Sequence, residues 1–545
     1  MHVLQIDHLT VNHAGRVIFR DLNWAIGDQD RIGLIGPNGA GKSSLLKAIM
    51  GEVQPDSGNI TQMNGITVGY LPQEVSLQPG CALIEEAMGL PPELVRIEAE
   101  LARIEARLGL PEVYNNLAML ERVLTRQEQA LDYYEKLGGP HHAGRVRDLL
   151  NQLGITPEDY ALPTETLSGG QKKLVALVRL MLEAPSILLL DEPDNHLDLE
   201  AKHRLEALVR NYAGTVIIVS HDRYLLDEVV TQIVELEDGK LRFYKGNYSA
   251  YSVARALARQ RQQQMYAAQQ KDIARIEAAI ARFELWAKMF EDERSMKQAR
   301  SRRKMLERME ANGEIVERVR ERRQMDLQLG GGRGSTKALE ISNLALAFDD
   351  VLLFMGLNLL VRHGERVGLI GPNGAGKSVL FRLILGQLEP LDGQIKIGPS
   401  VRVGYYAQEH ETLASWLHRT PIERVRDLAA VSEGQAVTFL GKFLFSYEQT
   451  RQPIGTLSGG ERSRLQLAGL MLTQPNLLLL DEPTNNLDIA SAEALERALE
   501  DFEGSVLVIS HDRYFLDQIV DRVIELDQGT LRNFDGGYTD YLEAR

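Results

Sequence analysis

A nine-residue segment that occurs twice restricts the fold of this chain more than any other feature. Ile35–Ser43 reads IGPNGAGKS, and the same letters recur at Ile370–Ser378, 335 residues later. Each copy follows an apolar segment, Arg31–Ile35 or Arg366–Ile370, and precedes a segment with helical spacing. A glycine-rich turn between a strand and a helix lets backbone N–H groups surround a phosphate. The repeat therefore predicts two related α/β domains, each with a phosphate-binding loop.

The later matches between the two copies have a different spacing. Three motifs recur 290 residues apart: LSGG at Leu167 and Leu457, DEP at Asp191 and Asp481, and SHDR at Ser220 and Ser510. The pairs Gln73-Glu74 and Gln408-Glu409 keep the first separation of 335 residues. The first copy therefore contains 45 additional residues between its glutamine and its LSGG motif.

The additional residues of the first copy have a helical pattern. Pro91–Leu108 and Leu117–Leu137 are rich in Glu, Leu, Ala and Arg, and Gly109-Leu110-Pro111 separates them. We interpret residues 88–140 as a helical arm inserted in the first domain and projecting from it. Two helices that lie flat on the domain surface fit the periodicity equally well.

A second helical element connects the two copies. Its apolar residues follow coiled-coil spacing on two helices: Ile273, Ile276, Ile280, Phe283, Ala287 and Phe290, then Met305, Met309, Val316 and Val319. We expect one uninterrupted helix over Tyr248–Phe290, a short turn at Glu291–Glu293, and an end of helical regularity by Leu329. Gly330–Thr336 is typical of a flexible linker. The predicted domains are therefore residues 1–250, a two-helix linker at 251–337, and residues 338–545.

Charge is unevenly distributed along the chain. The net charge is −15, but Arg255–Arg323 contains 18 basic and 11 acidic residues, which leaves −22 on the remainder. Six basic side chains and no acidic one lie between Arg294 and Leu306: Arg294, Lys297, Arg300, Arg302, Arg303 and Lys304. This run suits contact with RNA phosphates, although a solvated helix face is the simpler alternative.

Composition and hydropathy exclude several classes of protein. The single cysteine, Cys81, builds neither a disulfide framework nor a cysteine-rich zinc site, which favours a reducing compartment. The N-terminal residues lack the features of a signal peptide, and no apolar run approaches the roughly 20 residues that cross a bilayer. We therefore expect a soluble, cytoplasmic protein with no membrane span.

The repeated motifs have the chemistry of nucleotide hydrolysis. Lys42 and Lys377 are placed to neutralise phosphate oxygens, and the adjacent Ser43 and Ser378 are placed to bind Mg²⁺. The apolar strands Ser186–Leu190 and Asn476–Leu480 each lead into an Asp-Glu pair. Asp191 and Asp481 are expected beside the Mg²⁺, and Glu192 and Glu482 are expected to polarise the attacking water.

Taken together, the order of motifs resembles that of ATP-binding-cassette ATPases. LSGGQ at Leu167–Gln171 and LSGGE at Leu457–Glu461 look like the signature loops of that family. The resemblance covers nearly the whole chain outside the two helical elements. It implies two ABC-type P-loop nucleotide-binding domains that pack head to tail within one monomeric chain. Each ATP would then lie between the phosphate loop of one domain and the signature of the other.

The resemblance also assigns residues to each site. The first would use Gly36, Asn38, Gly39, Gly41, Lys42, Ser43, Ser44, Gln73, Asp191, Glu192 and His221, closed by Ser458, Gly459 and Gly460. The second would use Gly371, Asn373, Gly374, Gly376, Lys377, Ser378, Val379, Gln408, Asp481, Glu482 and His511, closed by Ser168, Gly169 and Gly170. Ser43, Gln73 and Asp191, or Ser378, Gln408 and Asp481, would hold the Mg²⁺. His13 and Phe348 align with the residue that stacks on adenine.

Two departures from the family pattern concern the loops after the Asp-Glu pairs. Asp194 stands where the family usually has threonine, and Asn486 stands where the first copy has His196. Neither departure removes a catalytic group. We therefore expect both sites to hydrolyse ATP, and the departures could make them unequal.

Fused cassettes, an arm in the first and a basic two-helix linker together resemble class F of the family. Gly246–Tyr251, Gly537–Tyr541 and Gln298–Lys304 also resemble that class. The resemblance implies binding to ribosomes near the exit site, with the linker touching peptidyl-site tRNA and the arm reaching ribosomal protein or rRNA. Such a protein regulates translation or protects ribosomes from antibiotics, and the short turn at Glu291–Glu293 favours regulation. A twin ATPase subunit of a separate membrane transporter is the alternative, while a DNA-repair or chromosome-organising ATPase is disfavoured.

Overall fold

The computed structural model describes residues 2–13, 16–89, 92–114, 116–290, 293–312, 325–332, 334–348 and 351–545. The chain divides into two compact units. One unit combines Met1–Phe243 with Gln324–Arg545, and the other is Tyr244–Arg323. The first unit contains both α/β domains, named cassette 1 and cassette 2 here, and the second is the helical linker.

Cassette 1 is built from strands and helices that alternate along much of its sequence. Its strands are β1 His2–His13, β2 Arg16–Gly27, β3 Arg31–Ile35, β4 Ser57–Gln62, β5 Val68–Leu71, β6 Ile187–Asp191, β7 Thr215–Val219, β8 Gln232–Glu237 and β9 Lys240–Lys245. Its helices are α1 Lys42–Met50, α2 Leu83–Ala87, α3 Pro92–Leu108, α4 Pro111–Tyr114, α5 Leu117–Lys136, α6 His142–Gln152, α7 Gly169–Glu183, α8 Leu199–Arg210 and α9 Arg223–Val229.

The central sheet of cassette 1 brings the repeated motifs to one edge. Its strand order is β5-β6-β7-β3-β8-β9, with parallel pairing except between β8 and β9, whose short connection makes them a hairpin. Every residue of β6 and β7 is buried, as expected for apolar strands of a parallel sheet. Because parallel strands end at the same edge, the phosphate loop after β3 lies near Asp191 and the Ser220–Arg223 turn.

A smaller antiparallel sheet of order β2-β1-β4 completes the core of cassette 1. Its inward side chains, including Phe19 and Trp24, pack with residues of α1 and of the central sheet in one hydrophobic cluster. This cluster fixes the start of α1, where the phosphate loop ends.

The arm is a helical hairpin with a hydrophobic cluster of its own. Leu94, Ile97 and Ile104 of α3 pack against Ala130 of α5, and each is at most 6% exposed. The helices match the predicted segments within one residue at each end, with the short α4 between them. The structure therefore confirms the helical insertion in the first domain.

Cassette 2 repeats the same architecture without the arm. Its strands are β10 Lys337–Phe348, β11 Val351–Arg362, β12 Arg366–Ile370, β13 Asp392–Ile397, β14 Val403–Tyr406, β15 Leu477–Asp481, β16 Ser505–Ile509, β17 Arg522–Asp527 and β18 Thr530–Asp535. After the linker helices α10 Tyr248–Phe290 and α11 Glu293–Ala311, its helices are α12 Lys377–Ile384, α13 Pro421–Leu428, α14 Glu433–Lys442, α15 Gly459–Thr473, α16 Ile489–Glu500, α17 Arg513–Ile519 and α18 Tyr538–Ala544. The sheet orders β14-β15-β16-β12-β17-β18 and β11-β10-β13 correspond to those of cassette 1.

In the linker unit, α10 is the uninterrupted helix that the sequence predicts, and it packs against α11. Ile280 and Ala287 are buried in the seam, as predicted. Two seam predictions are wrong: Phe290 is 75% exposed at the end of α10, and Met305 is 53% exposed. Leu306 is partly buried where Met305 is exposed, and Met309, a predicted seam residue, is partly buried as well. Val316, Val319 and two residues of the predicted turn, Glu291 and Asp292, lie outside the described residues.

The segment before cassette 2 differs from its prediction as a flexible linker. Met325, Leu327 and Leu329 are buried in the hydrophobic core of cassette 2, so the compact linker unit ends earlier than residue 337. A Cβ added to Gly331 would lie 2.6 Å from the backbone nitrogen of Gly504, which leaves no space for a larger residue. The hydroxyl oxygens of Ser335 and Ser400 are 2.8 Å apart. Glycine at position 331 therefore permits the close approach of two backbone segments.

Over the described ranges, the helices are too short or too polar for any of them to cross a membrane.

Candidate functional site: two composite nucleotide sites

Two glycine-rich loops form the floor of the candidate sites. Gly36 and Gly371 have φ angles of 154° and 151°, a region that side chains rarely adopt. A Cβ on Gly36 would also overlap the carbonyl oxygen of Leu236. The loops therefore require glycine, and their backbone curls around the N-terminus of α1 or α12, as a phosphate cradle must.

The loop lysines are held at the centre of each cradle. Lys42 Nζ donates to the carbonyl oxygens of Gly36 at 2.8 Å and Pro37 at 3.2 Å, and Lys377 makes the equivalent bonds at 2.7 and 3.0 Å. Burial lowers the pKa of both lysines, and nearby carboxylates oppose that shift. A buried ammonium group already held by carbonyl oxygens is suited to donate hydrogen bonds to phosphate oxygens.

The aspartates that end β6 and β15 have the surroundings of cation ligands. Asp191 and Asp481 are each 1% exposed. Burial raises the pKa of both, to about 6 for Asp481, while the positive charges of Lys42 and Lys377 oppose the rise. In the described part of the chain, Asp191 Oδ1 and both carboxylate oxygens of Asp481 have no hydrogen-bond donor. Buried, unsatisfied carboxylate oxygens beside a serine fit a bound Mg²⁺.

The glutamates that follow these aspartates have strained backbones. Glu192 and Glu482 both have a φ of 51°, and each N–H is fixed by the neighbouring strand, at 2.8 Å from Val219 O and 2.9 Å from Ile509 O. Positive φ at a residue other than glycine persists only where the surroundings enforce it, and it is frequent at functional sites. The turn aims each carboxylate toward the histidine of the SHDR motif.

Glu192 is surrounded by donors. Gln73 Nε2 donates to its Oε2 at 2.8 Å, Asn195 Nδ2 donates to the same atom at 2.6 Å, and His221 Nε2 lies 3.5 Å from Oε1. Burial works against its charge, but His221, Lys42 and Lys173 outweigh burial and hold the pKa of Glu192 below its usual value. Glu192 is therefore poised as an anion.

Glu482 meets different surroundings. The backbone N–H of His511 donates to Glu482 Oε2 at 3.2 Å, and His511 Nε2 lies 3.5 Å from Oε1. Burial and the charge of Asp481 raise the pKa of Glu482 to about 7, and burial also holds the pKa of His511 well below its usual value. The two glutamates therefore differ in electrostatics despite equivalent positions.

The signature loops begin helices that face the opposite cassette. Ser168 and Ser458 cap α7 and α15 through hydroxyls that accept from Gln171 N at 3.2 Å and Glu461 N at 3.4 Å. A Cβ on Gly460 would lie 3.3 Å from Asn38 Nδ2, in the phosphate loop of cassette 1. The signature of cassette 2 thus approaches the phosphate loop of cassette 1.

The loops after the Asp-Glu pairs also reach across the interface. Asn38 Nδ2 donates to Asn486 O at 3.4 Å, and Asn373 Nδ2 donates to His196 O at 3.2 Å. Asn373 N additionally donates to Asp198 Oδ2 at 3.2 Å. The two cassettes therefore face each other head to tail, with a phosphate loop and an opposing cassette at each site.

Sequence reasoning placed most of these residues but missed others. Asn195 and Lys173, whose Nζ donates to Glu192 O at 2.5 Å, were not expected at the site. Comparison of the two copies could have identified Lys173, because the second copy has the neutral Ser463 at the equivalent position. The side chains of His13 and Phe348 lie outside the described residues, so their adenine contact stays a prediction.

All six predicted RNA-contact residues lie exposed on α11. Two of them also contact α10, because Arg303 bonds Glu284 at 2.6 Å and Arg302 lies over the ring of Phe283 at 5.3 Å. Lys297, Arg300 and Lys304 are spaced by three and four residues and share one face of the helix.

Comparison with known proteins agrees with this architecture. The family model described as ABC transporter matches residues 19–195 and 354–485, and a second model of the same description matches residues 234–328. The energy-dependent translational throttle protein EttA of Escherichia coli K12 is 34% identical over 98% of this chain and 95% of its own length. The ABC transporter F family member 5 of Arabidopsis thaliana is 32% identical over 99% of this chain and 77% of its own length.

A solved structure shows the same fold at low identity. It is the archaeal ribosome recycling factor aABCE1 in complex with the ribosomal stalk protein aP1, with a TM-score of 0.60 and 18% identity over 98% of this chain and 92% of that one. The matched domains and relatives account for both cassettes and the linker. This chain belongs to the ATP-binding-cassette family, class F, and is an ATPase.

Proposed function

We propose that this protein hydrolyses ATP at two composite sites and uses the closed state to regulate translation on the ribosome. The observation that carries the catalytic part is the pair of glutamates that follow β6 and β15, Glu192 half-buried and Glu482 buried, whose carboxylates lie 3.5 Å from the SHDR histidines. The ribosomal part rests on the similarity to EttA and on the basic face of α11.

At each site, the residues would act in defined roles. Lys42 or Lys377 neutralises the β- and γ-phosphate oxygens, and Glu192 or Glu482 accepts a proton from the attacking water. His221 or His511 contacts both the γ-phosphate and the glutamate carboxylate and so fixes their relative positions. The bond from the γ-phosphorus to the bridging oxygen breaks as the water oxygen attaches, so ADP and phosphate leave. Ser458 or Ser168 closes the site from the opposite cassette.

A bound Mg²⁺ would be held by Ser43, Gln73 and Asp191 in the first site and by Ser378, Gln408 and Asp481 in the second. It would supply positive charge to the phosphate oxygens. The buried aspartate oxygens without donors support this assignment. His13 and Phe348 are proposed to stack on the two adenines.

The proposed partner is the ribosome, and the proposed compartment is therefore the cytoplasm. The linker segment Arg255–Arg323 has a net charge of +7, whereas the rest of the chain has −22, so attraction to RNA phosphates is concentrated in this segment. We propose that the linker contacts peptidyl-site tRNA near the exit site and that the arm contacts ribosomal protein or rRNA.

A salt series of ribosome co-sedimentation tests this proposal. The Lys297→Gln, Arg300→Gln, Lys304→Gln variant removes the shared basic face but keeps the Arg302 and Arg303 contacts with α10. It is prepared in the Glu192→Gln, Glu482→Gln background, which holds the closed state. We expect weaker binding and a salt dependence flatter by about one unit of slope per lost phosphate contact.

The Arg261→Gln, Lys271→Gln, Arg275→Gln variant is the matched control, since it removes three exposed charges from α10. It should bind more like the parent than like the α11 variant. Equal affinities and slopes for the parent and the α11 variant would contradict the RNA contact and favour a transporter-associated ATPase.

A further inference from the structure

Three buried charged residues distinguish cassette 1 from cassette 2. Each has a neutral counterpart 290 residues later, and the pairs are Lys173 with Ser463, Asp194 with Thr484, and Lys202 with Ala492. All three charged side chains are at most 8% exposed. Burial of a charge is unfavourable unless it is paired, so such a group needs a compensating contact. The contacts of Lys202 lead across the interface.

Lys202 on α8 joins its own cassette to a catalytic loop of the other. Its Nζ donates to Asp222 Oδ2 at 2.9 Å and to the backbone carbonyl oxygen of His511 at 2.9 Å. The negative charges of Asp194 and Asp512 also favour the charged form of Lys202, and Ser220 Oγ donates to Asp194 Oδ1 at 2.8 Å. The lysine is thus fixed by cassette 1 while it bonds the SHDR turn of cassette 2.

The His511 residue that Lys202 contacts also supports Glu482. Lys202 holds the His511 carbonyl oxygen, and the His511 N–H donates to Glu482 Oε2 at 3.2 Å. The His511 ring lies 3.5 Å from the other oxygen of the same carboxylate. Two hydrogen bonds, made by the carbonyl and the N–H of one residue, therefore connect the lysine of cassette 1 to the proposed base of the second site.

The first site lacks this connection from the equivalent position. Ala492 has no side-chain donor that could hold the carbonyl of His221. Two neighbouring arginine pairs do repeat on both sides of the interface: Arg223 pairs with Glu496 and stacks on Tyr514, and Arg513 pairs with Glu206 and stacks on Tyr224. The guanidinium carbon of Arg223 lies 4.0 Å from the ring centroid of Tyr514, and that of Arg513 lies 4.2 Å from the ring centroid of Tyr224. The contact of Lys202, in contrast to these arginine pairs, has no counterpart at Ala492.

We propose that Lys202 is a positioning residue for the second ATP site, supplied by the opposite cassette. It holds the His511 backbone, and through it Glu482, in the arrangement that hydrolysis requires. Hydrolysis at the second site then depends on closure of the cassettes through a bond that the first site does not use. This inference rests on the proposed roles of Glu482 and His511.

Single-turnover formation of ADP separates the two sites. The Glu192→Gln chain reports hydrolysis at the second site, and the Glu482→Gln chain reports the first. Into each we introduce Asp194→Thr with Lys202→Met, which removes one buried acid together with the lysine. Cassette 2 folds with threonine and an uncharged residue at these positions, and Asp222 keeps Arg513 at 3.7 Å. Thermal unfolding verifies that each chain is folded.

Loss of Lys202 should slow ADP formation by between about ten-fold and a hundred-fold at the second site, because misplacement of a catalytic group has effects of that size. The effect at the first site should be several-fold smaller, and ATP affinity should stay unchanged in both chains. Asp194→Thr alone is the matched control, and it should form ADP at the second site as fast as the chain that retains Asp194. Lys202→Arg should restore part of the rate, since it retains a charged donor.

Equal slowing in the two backgrounds, weaker ATP binding with an unchanged rate, or no ADP from the Glu192→Gln chain would each overturn the inference. Failure of the proposed function has a different signature: the Glu192→Gln, Glu482→Gln chain would then hydrolyse ATP at the rate of the unmodified protein.

Discussion

At the residue scale, equivalent glutamates in the two sites are prepared differently for the same task. Glu192 accepts from Gln73 and Asn195, which stabilise its charge, whereas burial beside Asp481 raises the pKa of Glu482 to about 7. Both carboxylates keep a histidine at 3.5 Å. Both carboxylates are therefore placed for the proposed role of general base, with different electrostatic surroundings.

Changing both glutamates to glutamine tests that role directly. The Glu192→Gln, Glu482→Gln chain should bind ATP as the parent does, because the phosphate loops are untouched. Turnover should fall by at least about 10²–10⁴-fold, the usual contribution of a general base. Steady-state ATPase rates and nucleotide-binding titrations measure the two effects, and retention of the parental rate would contradict the assignment.

Arg513 is the residue whose loss should weaken the interface most. It is fully buried and pairs with Glu206 of the other cassette, with Asp222 at 3.7 Å. Arg513→Met leaves a buried carboxylate without its guanidinium partner, which typically costs about 3–5 kcal/mol. The first transition in denaturant unfolding should therefore move to lower concentration.

Arg126→Met is the control for Arg513→Met, because Arg126 pairs with Glu100 on the exposed surface of the arm. An exposed pair contributes about 0–1 kcal/mol, so its transition should barely move. Similar shifts for the two variants would show that the buried pair does not stabilise the interface.

At the element scale, the arm has a hydrophobic cluster that belongs to its own two helices. Ile104→Ala removes a side chain that is 5% exposed between α3 and α5, and such truncations destabilise by about 2–5 kcal/mol. This destabilisation should be confined to the arm. Hydrogen exchange should accelerate in α3 and α5, while the ATPase rate stays the same.

Leu124→Ala on α5 is the control for Ile104→Ala, since Leu124 is 46% exposed. It should leave hydrogen exchange of the arm nearly unchanged. Faster exchange throughout cassette 1 in the Ile104→Ala chain would show that the arm does not fold as a separate cluster.

Local patterns predicted those elements whose formation depends on nearby residues. The spacing of apolar residues and the positions of glycines predicted the arm helices, β6 and the 43-residue helix α10. The prediction for Phe290 was wrong because this residue ends α10, and the prediction for Met305 was wrong because spacing alone did not show that its neighbour Leu306 is the more buried of the two. Met325 and Leu327 were assigned to the linker, although their side chains pack into a core assembled from residues far along the chain.

At the scale of the whole molecule, contacts between the cassettes form features that neither sequence copy shows alone, namely the composite sites and the bond from Lys202 to His511. The motifs predicted the phosphate loops, the Asp-Glu pairs and, through the family resemblance, the head-to-tail packing. The bond from Lys202 to His511 joins residues 309 positions apart and depends on the exact placement of one cassette on the other. Comparison of the two copies reveals the unusual lysine, but only the structure reveals its partner.

Crosslinking across the interface tests head-to-tail closure most directly. With Cys81→Ser, the pair Asn38→Cys and Asn486→Cys and the pair Asn373→Cys and His196→Cys place thiols at contacts of 3.4 and 3.2 Å. A short bis-maleimide should link both pairs when ATP is bound, as detected by mass spectrometry of the joined peptides. The pairs Asn38→Cys with His196→Cys and Asn373→Cys with Asn486→Cys should stay unlinked. The reverse pattern, with links only within each cassette, would contradict composite sites.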